Sequence, residues 1–305
     1  VQQLNVQVSD RASRKGIILA GGAGNRLLPL TRGTSKQLLP IFDKPLIYYP
    51  ISTLIMAGVR DILVITTPDD SAAFGRLLGD GSQWGIHFSY ATQEHPRGLA
   101  DAYRIGRDFL DGAPSVLILG DNIFFGHGLQ ALIDRAVDSA CATIFASLVR
   151  DPRQFGVVEL DQKRRALSIE EKPEHPRSPW AVTGLYFLDG NACDYANDVV
   201  PSARGELEIV SILQRYLELG NLNVEMLHRG FAWLDAGTHE SLHQAGEFVK
   251  TLQDRQGLLI SSPEELAFRR GLITIDQLSE LARAQQQSSY GRALSDIVAQ
   301  ERGYQ

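Results

Sequence analysis

The sequence predicts an α/β fold: a Rossmann-like three-layer sandwich around a mostly parallel, mixed sheet. Three observations carry that prediction. Short continuous apolar runs recur at 16–20, 61–66, 115–119 and 143–149, and such runs suit strands covered by helices on both faces. Stretches with helical spacing lie between or beside them at 47–57, 71–78, 99–109 and 129–140. Strand and helix therefore alternate at the interval of βαβ units. The first run also ends in a glycine cluster, as a strand does when it turns sharply at a sheet edge.

Taken in order, residues 1–14 show no clear period and read as a loose extension. Regular structure is expected from Lys15. The strand at 61–66 is stopped by Pro68-Asp69-Asp70, and the one at 115–119 by Gly120-Asp121. After residue 150 the pattern changes. Runs at 155–160 and 166–171 form a hairpin pattern around 161–165, an apolar run follows at 180–187, and a short strand is expected at 231–234. A helix is expected at 208–219, and the last 60 or so residues read as helical. Ser262-Pro263-Glu264-Glu265 combines a cap residue, a first-turn proline and an acid three residues on. Thr274-Ile275-Asp276-Gln277 repeats that logic ahead of Leu278, Leu281 and Ala282. There is no internal repeat, no low-complexity tract and no Pro/Gly/Ser-rich linker.

Composition narrows the function. The 305 residues are 44% hydrophobic and 22% charged, which excludes a disordered chain. Thirty Lys and Arg against 36 Asp and Glu leave a net charge of −6, which argues against a nucleic-acid partner. No apolar run is long enough for a membrane helix, and the polar 1–14 stretch is unlike a signal peptide. Cys141 and Cys193 lie far apart without metal-site spacing, so reduced thiols in a cytoplasmic protein are expected.

The glycine cluster Gly21-Gly22-Ala23-Gly24 precedes Asn25-Arg26. Glycines allow several backbone N–H groups to converge on one anion, and a following helix would add its positive end. The loop lacks the Gly-Lys-Ser/Thr of a Walker A motif. Leu27 breaks the dinucleotide fingerprint, which speaks against a nicotinamide dehydrogenase. Arg26 and Lys36 instead supply two cations, a combination suited to a triphosphate. Asp121 follows a strand at its carboxyl end, where it reads as a magnesium ligand or as a turn-forming aspartate. Asp235 reads equally as the cap of a helix starting near Thr238. Lys172, between an acid and a proline, is a point charge for a monophosphate or part of a solvated turn. Gln93 offers the donor and acceptor that a pyrimidine edge needs, and Gly98 would let a base approach backbone. The alternative is an ordinary loop. His127 is read as a packed or capping histidine.

The ordered motifs Gly21-Gly22-x-Gly-x-Arg-Leu-x-Pro-x-Thr, Ser35-Lys36-Gln37-Leu38-Leu39-Pro40 and Asp43-Lys44-Pro45 resemble the signature of the sugar-phosphate nucleotidyltransferases. Lys-Gln-Leu-Leu-Pro is typical of the thymidylyltransferases in that family, where uridylyltransferases more often carry Lys-Glu-Met-Leu-Pro. The resemblance runs from Lys15 to about Tyr290. It implies transfer of a thymidylyl group from dTTP to glucose 1-phosphate with Mg²⁺, as a first step toward dTDP-sugars such as dTDP-rhamnose, used in lipopolysaccharide.

By the same resemblance, Arg26, Lys36, Asp121 and Lys172 are catalytic. Leu19, Gly21, Gly22, Gly24, Gln37, Gln93, Pro96 and Gly98 join Arg26 and Asp121 around the nucleotide. Gly156, Glu171, Lys172, Val182 and Arg204 surround the sugar phosphate, and Asp121 and Asp235 hold the metal. The implied division is an extension at 1–14, a catalytic domain at 15–245 and a helical subdomain at 246–305. In this family that tail is linked to tetramer assembly and to feedback inhibition by dTDP-rhamnose. Four positions depart from the pattern: Asn25 stands for Thr, Phe155 for Tyr, and Val210-Ser211 for Thr-Asp. The rival readings are a uridylyl- or cytidylyltransferase of the same fold and a non-catalytic binder of nucleotide sugars.

Overall fold

All four apolar runs form strands of one nine-stranded sheet. The structure, a computed structural model, describes residues 13–22 and 24–303. Residues 1–12 of the expected extension lie outside the described residues. In chain order the strands are β1 (Lys15–Ala20), β2 (Pro40–Ile41), β3 (Lys44–Pro45), β4 (Asp61–Thr66), β5 (His87–Thr92), β6 (Ser115–Leu119) and β7 (Asn122–Gly126). They continue with β8 (Ala142–Leu148), β9 (Gly156–Leu160), β10 (Ala166–Glu171), β11 (Trp180–Leu188), β12 (Leu222–Leu227) and β13 (Phe231–Asp235). The first helices are α1 (Tyr48–Met56), α2 (Pro68–Leu78), α3 (Asp101–Ile105), α4 (Arg107–Leu110), α5 (Leu129–Asp138) and α6 (Ala192–Asp198). They are followed by α7 (Ile209–Glu218), α8 (His239–Gln256), α9 (Pro263–Arg269), α10 (Ile275–Ala284) and α11 (Ser289–Gly303).

The sheet runs β10-β9-β11-β6-β1-β4-β5, with β8 pairing to β11 and β12. Strands β6, β1, β4 and β5 are parallel, whereas β11 is antiparallel to β6 and β8. Successive side chains of β1 face opposite layers, as a period of two requires. Ile18 packs with Ile51, Leu54 and Phe74 on one face, while Ile17 packs with Tyr103, Ile212 and Leu213 on the other. The tail helices close over the first face, where Ala267, Leu278, Tyr290 and Leu294 share the core of Ile18. Helix α8 runs continuously through residue 245.

Several details differ from the sequence reading. The helix expected at 99–109 is two short helices separated by Gly106. A Cβ there would lie 3.0 Å from both the Ala102 carbonyl and Ile17 Cδ1, so the chain hugs the sheet instead of coiling freely. The glycine loop leads into short 3₁₀ turns at Asn25–Leu27, Leu30–Arg32 and Lys36–Leu38, not into an α-helix, so no helical dipole adds to it. Strand β5, at the sheet edge, carries no continuous apolar run and is not among the expected strands. Strands β7 and β13 form their own antiparallel ribbon. The expected caps form at Ser262, which accepts from the Glu265 N–H, and at Thr274, in a reciprocal box with Gln277. Arg14 is anchored to the carbonyls of Leu188, Val137 and Ser139.

Candidate active site

Parallel strands bring their carboxyl ends to one edge, and the site is built there. Leu19 pairs with Leu119, so the loop after β1 and the Gly120-Asp121 turn after β6 leave the sheet side by side. The Gly120 N–H donates to the Leu19 carbonyl at 2.9 Å. A Cβ on Gly120 would meet Gln37 Cγ at 2.9 Å, so this turn needs glycine. Antiparallel pairing sets Asp235 opposite Asn122, and the Ala236 N–H donates to the Asp121 carbonyl at 3.2 Å. The two aspartates therefore stand on adjacent strand ends.

These elements border a cleft of about 530 Å³ that opens toward the β9–β10 hairpin. Arg26, Asp121, Gly156, Glu171, Lys172, Val182 and Asp235 line it together. Residues as far as 209 positions apart in the chain, Arg26 and Asp235, thus line one cleft, as the sequence reading requires for a two-substrate site. Asn122, Phe155, Gly184, Tyr186 and Trp233 also line the cleft. None is among the expected site residues, although Phe155 stands at a motif position and Asn122 follows Gly120-Asp121.

Asp121 is ion-paired to Lys36, with both side chains 14% exposed. Burial pushes the Asp121 carboxyl up, but the Lys36 charge and hydrogen bonds from Lys36 and Asn122 outweigh it, so the group stays below the usual carboxylate range. Asn122 is a clamp. Its Nδ2 donates to Asp121 Oδ1 at 3.0 Å, and its Oδ1 accepts from the Gly184 N–H at 3.0 Å and from Trp233 Nε1 at 2.6 Å. One side chain thereby ties β7, β11 and β13 to the orientation of Asp121.

Arg26 reaches the site over Gly237. A Cβ on Gly237 would lie 2.8 Å from Arg26 Nη2 and 3.2 Å from Asp235 Oδ1. Asp235 accepts from the Gly237 N–H at 3.0 Å, while Thr238 caps α8 through a box with Ser241. The cap role belongs to Thr238, which leaves the Asp235 carboxylate turned to the cleft. Gly24 adopts a left-handed conformation with φ 61°, and its carbonyl is held by Thr31 Oγ1 at 2.8 Å.

Across the cleft, Lys172 follows β10 with φ 44°, a left-handed conformation that a residue with a Cβ seldom adopts. Its N–H donates to the Phe155 carbonyl at 3.0 Å, which fixes the turn. Glu171 is pushed above the ordinary carboxylate range, first by burial and then by Glu208, against the pull of Lys172 and Arg204. Arg204 does not line the cleft. Its guanidinium is held by Glu208 at 2.7 Å and Glu171 at 3.2 Å, so it stands behind Glu171.

The remaining nucleotide-side residues flank the glycine loop without lining this cleft. Leu19 is 9% exposed at the end of β1, Gln37 is buried beneath Gly120, Gly22 faces Lys36, and Pro96 is exposed. Gln93 is buried against Gly21. The glycine at 98 is required by the protein itself, because with φ 107° a Cβ there would sit 2.5 Å from the Leu207 carbonyl oxygen. His127 is exposed and Gly128 occupies the cap position of α5, so His127 is neither packed nor capping.

Among the described residues no group of three or more His, Cys, Asp and Glu gathers as a metal site. The Asp121–Asp235 pair fits a hard divalent cation that completes its shell with substrate phosphates and water. Each Asp121 oxygen accepts one hydrogen bond and keeps further lone pairs.

This arrangement defines a phosphate-handling α/β enzyme site, with cations on two sides and carboxylates between. Residues 15–251 match the nucleotidyl transferase family, and the chain belongs to it. It is 56% identical over 286 residues to glucose-1-phosphate thymidylyltransferase of Xanthomonas campestris pv. campestris, covering 93% of this chain and 97% of that protein. It is 53% identical over 287 residues to the glucose-1-phosphate thymidylyltransferase of Mycolicibacterium smegmatis, covering 94% and 100%. A crystal structure of a putative glucose-1-phosphate thymidylyltransferase from Bacillus anthracis with sucrose superimposes with a TM-score of 0.72 at 38% identity, over 77% of this chain and 95% of that one. A UDP-glucose pyrophosphorylase bound to UDP-glucose shares the fold, with a TM-score of 0.69 at 22% identity over 78% of this chain and 99% of that one.

Proposed function

We propose that this chain transfers a thymidylyl group from dTTP to glucose 1-phosphate, giving dTDP-glucose and pyrophosphate. The observation that carries the reading is one cleft lined by Arg26 on the glycine-loop side and Lys172 on the hairpin side, with Asp121 and Asp235 between them. Relatives named for this reaction, 53–56% identical over nearly their whole length, support the same choice.

A phosphate oxygen of the sugar forms the new bond to the α-phosphorus, and the α–β bridging P–O bond breaks with pyrophosphate leaving. The attacking phosphate is already anionic at neutral pH, so no general base is needed. Positioning and charge neutralisation supply the acceleration. Arg26 binds the triphosphate and the departing pyrophosphate. Lys172, preset by its turn, holds the attacking phosphate. Glu171 accepts hydrogen bonds from sugar hydroxyls, and Arg204 positions Glu171. Lys36 supports charge near the α-phosphate. Asp121 and Asp235 would hold Mg²⁺, which when bound neutralises phosphate charge.

The proposal assigns residues 15–245 to catalysis and 246–305 to a helical assembly and regulatory subdomain of a cytoplasmic homotetramer, inhibited by dTDP-rhamnose. Among the described residues no helix is long and apolar enough to cross a membrane. The deciding test is pyrophosphate release from glucose 1-phosphate with dTTP, UTP, CTP, ATP or GTP. Release fastest with dTTP and abolished by chelator is expected. Folded protein that releases none with any nucleotide would overturn the reading.

A further inference from the structure

Gln93 sits just past β5, with its N–H bonded to the Thr66 carbonyl at 2.8 Å and its side chain 5% exposed. Its Nε2 donates to Asp101 Oδ2 at 2.9 Å and reaches the Gly98 carbonyl at 3.4 Å. A carbonyl can only accept, and so can an ionised carboxylate, so the end of the amide facing them is the nitrogen. The oxygen is thereby turned the other way. A Cβ built on Gly21 would lie 3.2 Å from Gln93 Oε1, so this oxygen faces the glycine loop. Among the described residues no hydrogen bond reaches Oε1. Asp101, itself 6% exposed in the first turn of α3, has its neighbourhood fastened by the Ala100 N–H donating to the Leu207 carbonyl at 2.9 Å.

We infer that Asp101 is a specificity-determining positioning residue, which locks Gln93 as a hydrogen-bond acceptor toward the nucleobase and so selects pyrimidines that carry N3–H. This rests on the proposed function and on the placement of the base beside Gln93 that the family resemblance implies. A freely rotating glutamine offers either a donor or an acceptor and reads pyrimidines poorly. A locked acceptor pairs with the N3–H of thymine or uracil. Cytosine in the same register turns its N3 lone pair toward the Gln93 oxygen, and two acceptors then face each other in a buried setting. A site that leaves a buried polar group unpaired rejects a ligand far more strongly than one lacking a methyl contact. The arrangement therefore excludes cytidine nucleotides while distinguishing dTTP from UTP only weakly.

The test is Asp101→Asn, which keeps the shape but offers Gln93 either end of an amide. Affinities for dTTP, UTP and dCTP are measured by calorimetry, with thermal melting as the check on folding. Asp101→Ser replaces it if the asparagine variant does not fold. The expected result is a fall of about tenfold or more in the dTTP:dCTP preference, with the dTTP:UTP ratio unchanged, since both bases carry N3–H. In a Gln93→Ala background the Asp101 substitution is expected to change the preference no further, because Asp101 acts through Gln93. Equal weakening of all three nucleotides by Asp101→Asn would overturn the inference and leave Asp101 a structural residue. A preference lowered by Gln93→Ala but untouched by Asp101→Asn would overturn it too, while sparing the base site. A preference unmoved by either substitution would remove Gln93 from base recognition altogether.

Discussion

Asn122→Ala removes the clamp behind the cleft, and its consequences follow from three hydrogen bonds. The Gly184 N–H lies in the buried part of β11 and loses its side-chain acceptor. An unsatisfied buried N–H costs about 1–3 kcal/mol. The Trp233 N–H is half-buried and finds water more easily, so its loss adds about 1 kcal/mol. Removing the 2% exposed side chain also leaves a small void, worth about another 1 kcal/mol. The expected destabilisation is roughly 3–5 kcal/mol. At about 2–4 °C per kcal/mol for large single domains, the midpoint falls by roughly 6–20 °C. Asp121 simultaneously loses the donor that orients it, so with the proposed metal site the Mg²⁺ concentration for half-maximal turnover is expected to rise. Thermal melting and a magnesium titration of pyrophosphate release measure both effects on one sample. Trp233→Phe is the control, since it removes a donor but leaves the Asn122 oxygen paired with Gly184, and it is expected to cost under half as much. An Asn122→Ala protein that melts within 1 °C of the parent (a shift too small for one lost buried partner) with unchanged magnesium dependence would refute the clamp.

Gly237→Ala places a methyl 2.8 Å from Arg26 Nη2, which is the far end of a flexible side chain. Arg26 yields without disturbing the fold, so turnover is expected to drop on the order of tenfold to a hundredfold while the melting temperature holds. Glu171 is raised in the folded protein, so its contribution to stability is present at low pH and is lost as pH rises through its folded pKa. Glu171→Gln is therefore expected to change the melting temperature more favourably at pH 7.5 than at pH 4, though turnover falls, and differential scanning calorimetry at the two pH values reads the sign. Tyr290→Phe takes one donor from Glu264, which is 2% exposed and otherwise bound by Ser262. A loss of about 1–3 kcal/mol is expected in urea unfolding, with turnover kept.

The parts of the fold legible in the sequence are those where one physical requirement dominates. Ile17, Ile18 and Leu19 are covered on both faces, so the run is apolar without interruption and reads as a strand. Strand β5 is an edge strand whose His87 and Ser89 face solvent, and its six residues carry no comparable run. The helix split at Gly106 depends on how close Ile17 lies, a contact that is 89 positions away and invisible locally. The candidate site divides the same way. Arg26, Asp121 and Lys172 sit in turns whose glycines and prolines punctuate the sequence. Trp233 and Tyr186 reach the cleft from strands, where nothing local separates a cleft-facing aromatic from a core one. The glycine at 98 shows the converse. Its conformation was legible, but its partner is the backbone of Leu207, and the sequence reading assigned that space to a base.

The charge arrangement explains why Lys36 and Asp121 belong to one device. Two separate charges so little exposed would each bear a large desolvation cost, and a lone buried aspartate tends to take up a proton. Pairing keeps Asp121 ionised before any ligand arrives. A cation held, as proposed, by Asp121 and Asp235 would compete with Lys36 for that carboxylate, and a triphosphate arriving with it would give Lys36 a new anionic partner. Such an exchange would conserve the number of charge pairs, so neither group would be left bare. It also predicts that Lys36→Met harms the unliganded protein more than the liganded one. The variant's melting temperature is expected to rise more on adding Mg²⁺ with nucleotide than the parent's does, because the cation restores the partner that Asp121 has lost. An equal rise in the two proteins would show that Lys36 and the cation do not share Asp121, and the exchange would have to be abandoned.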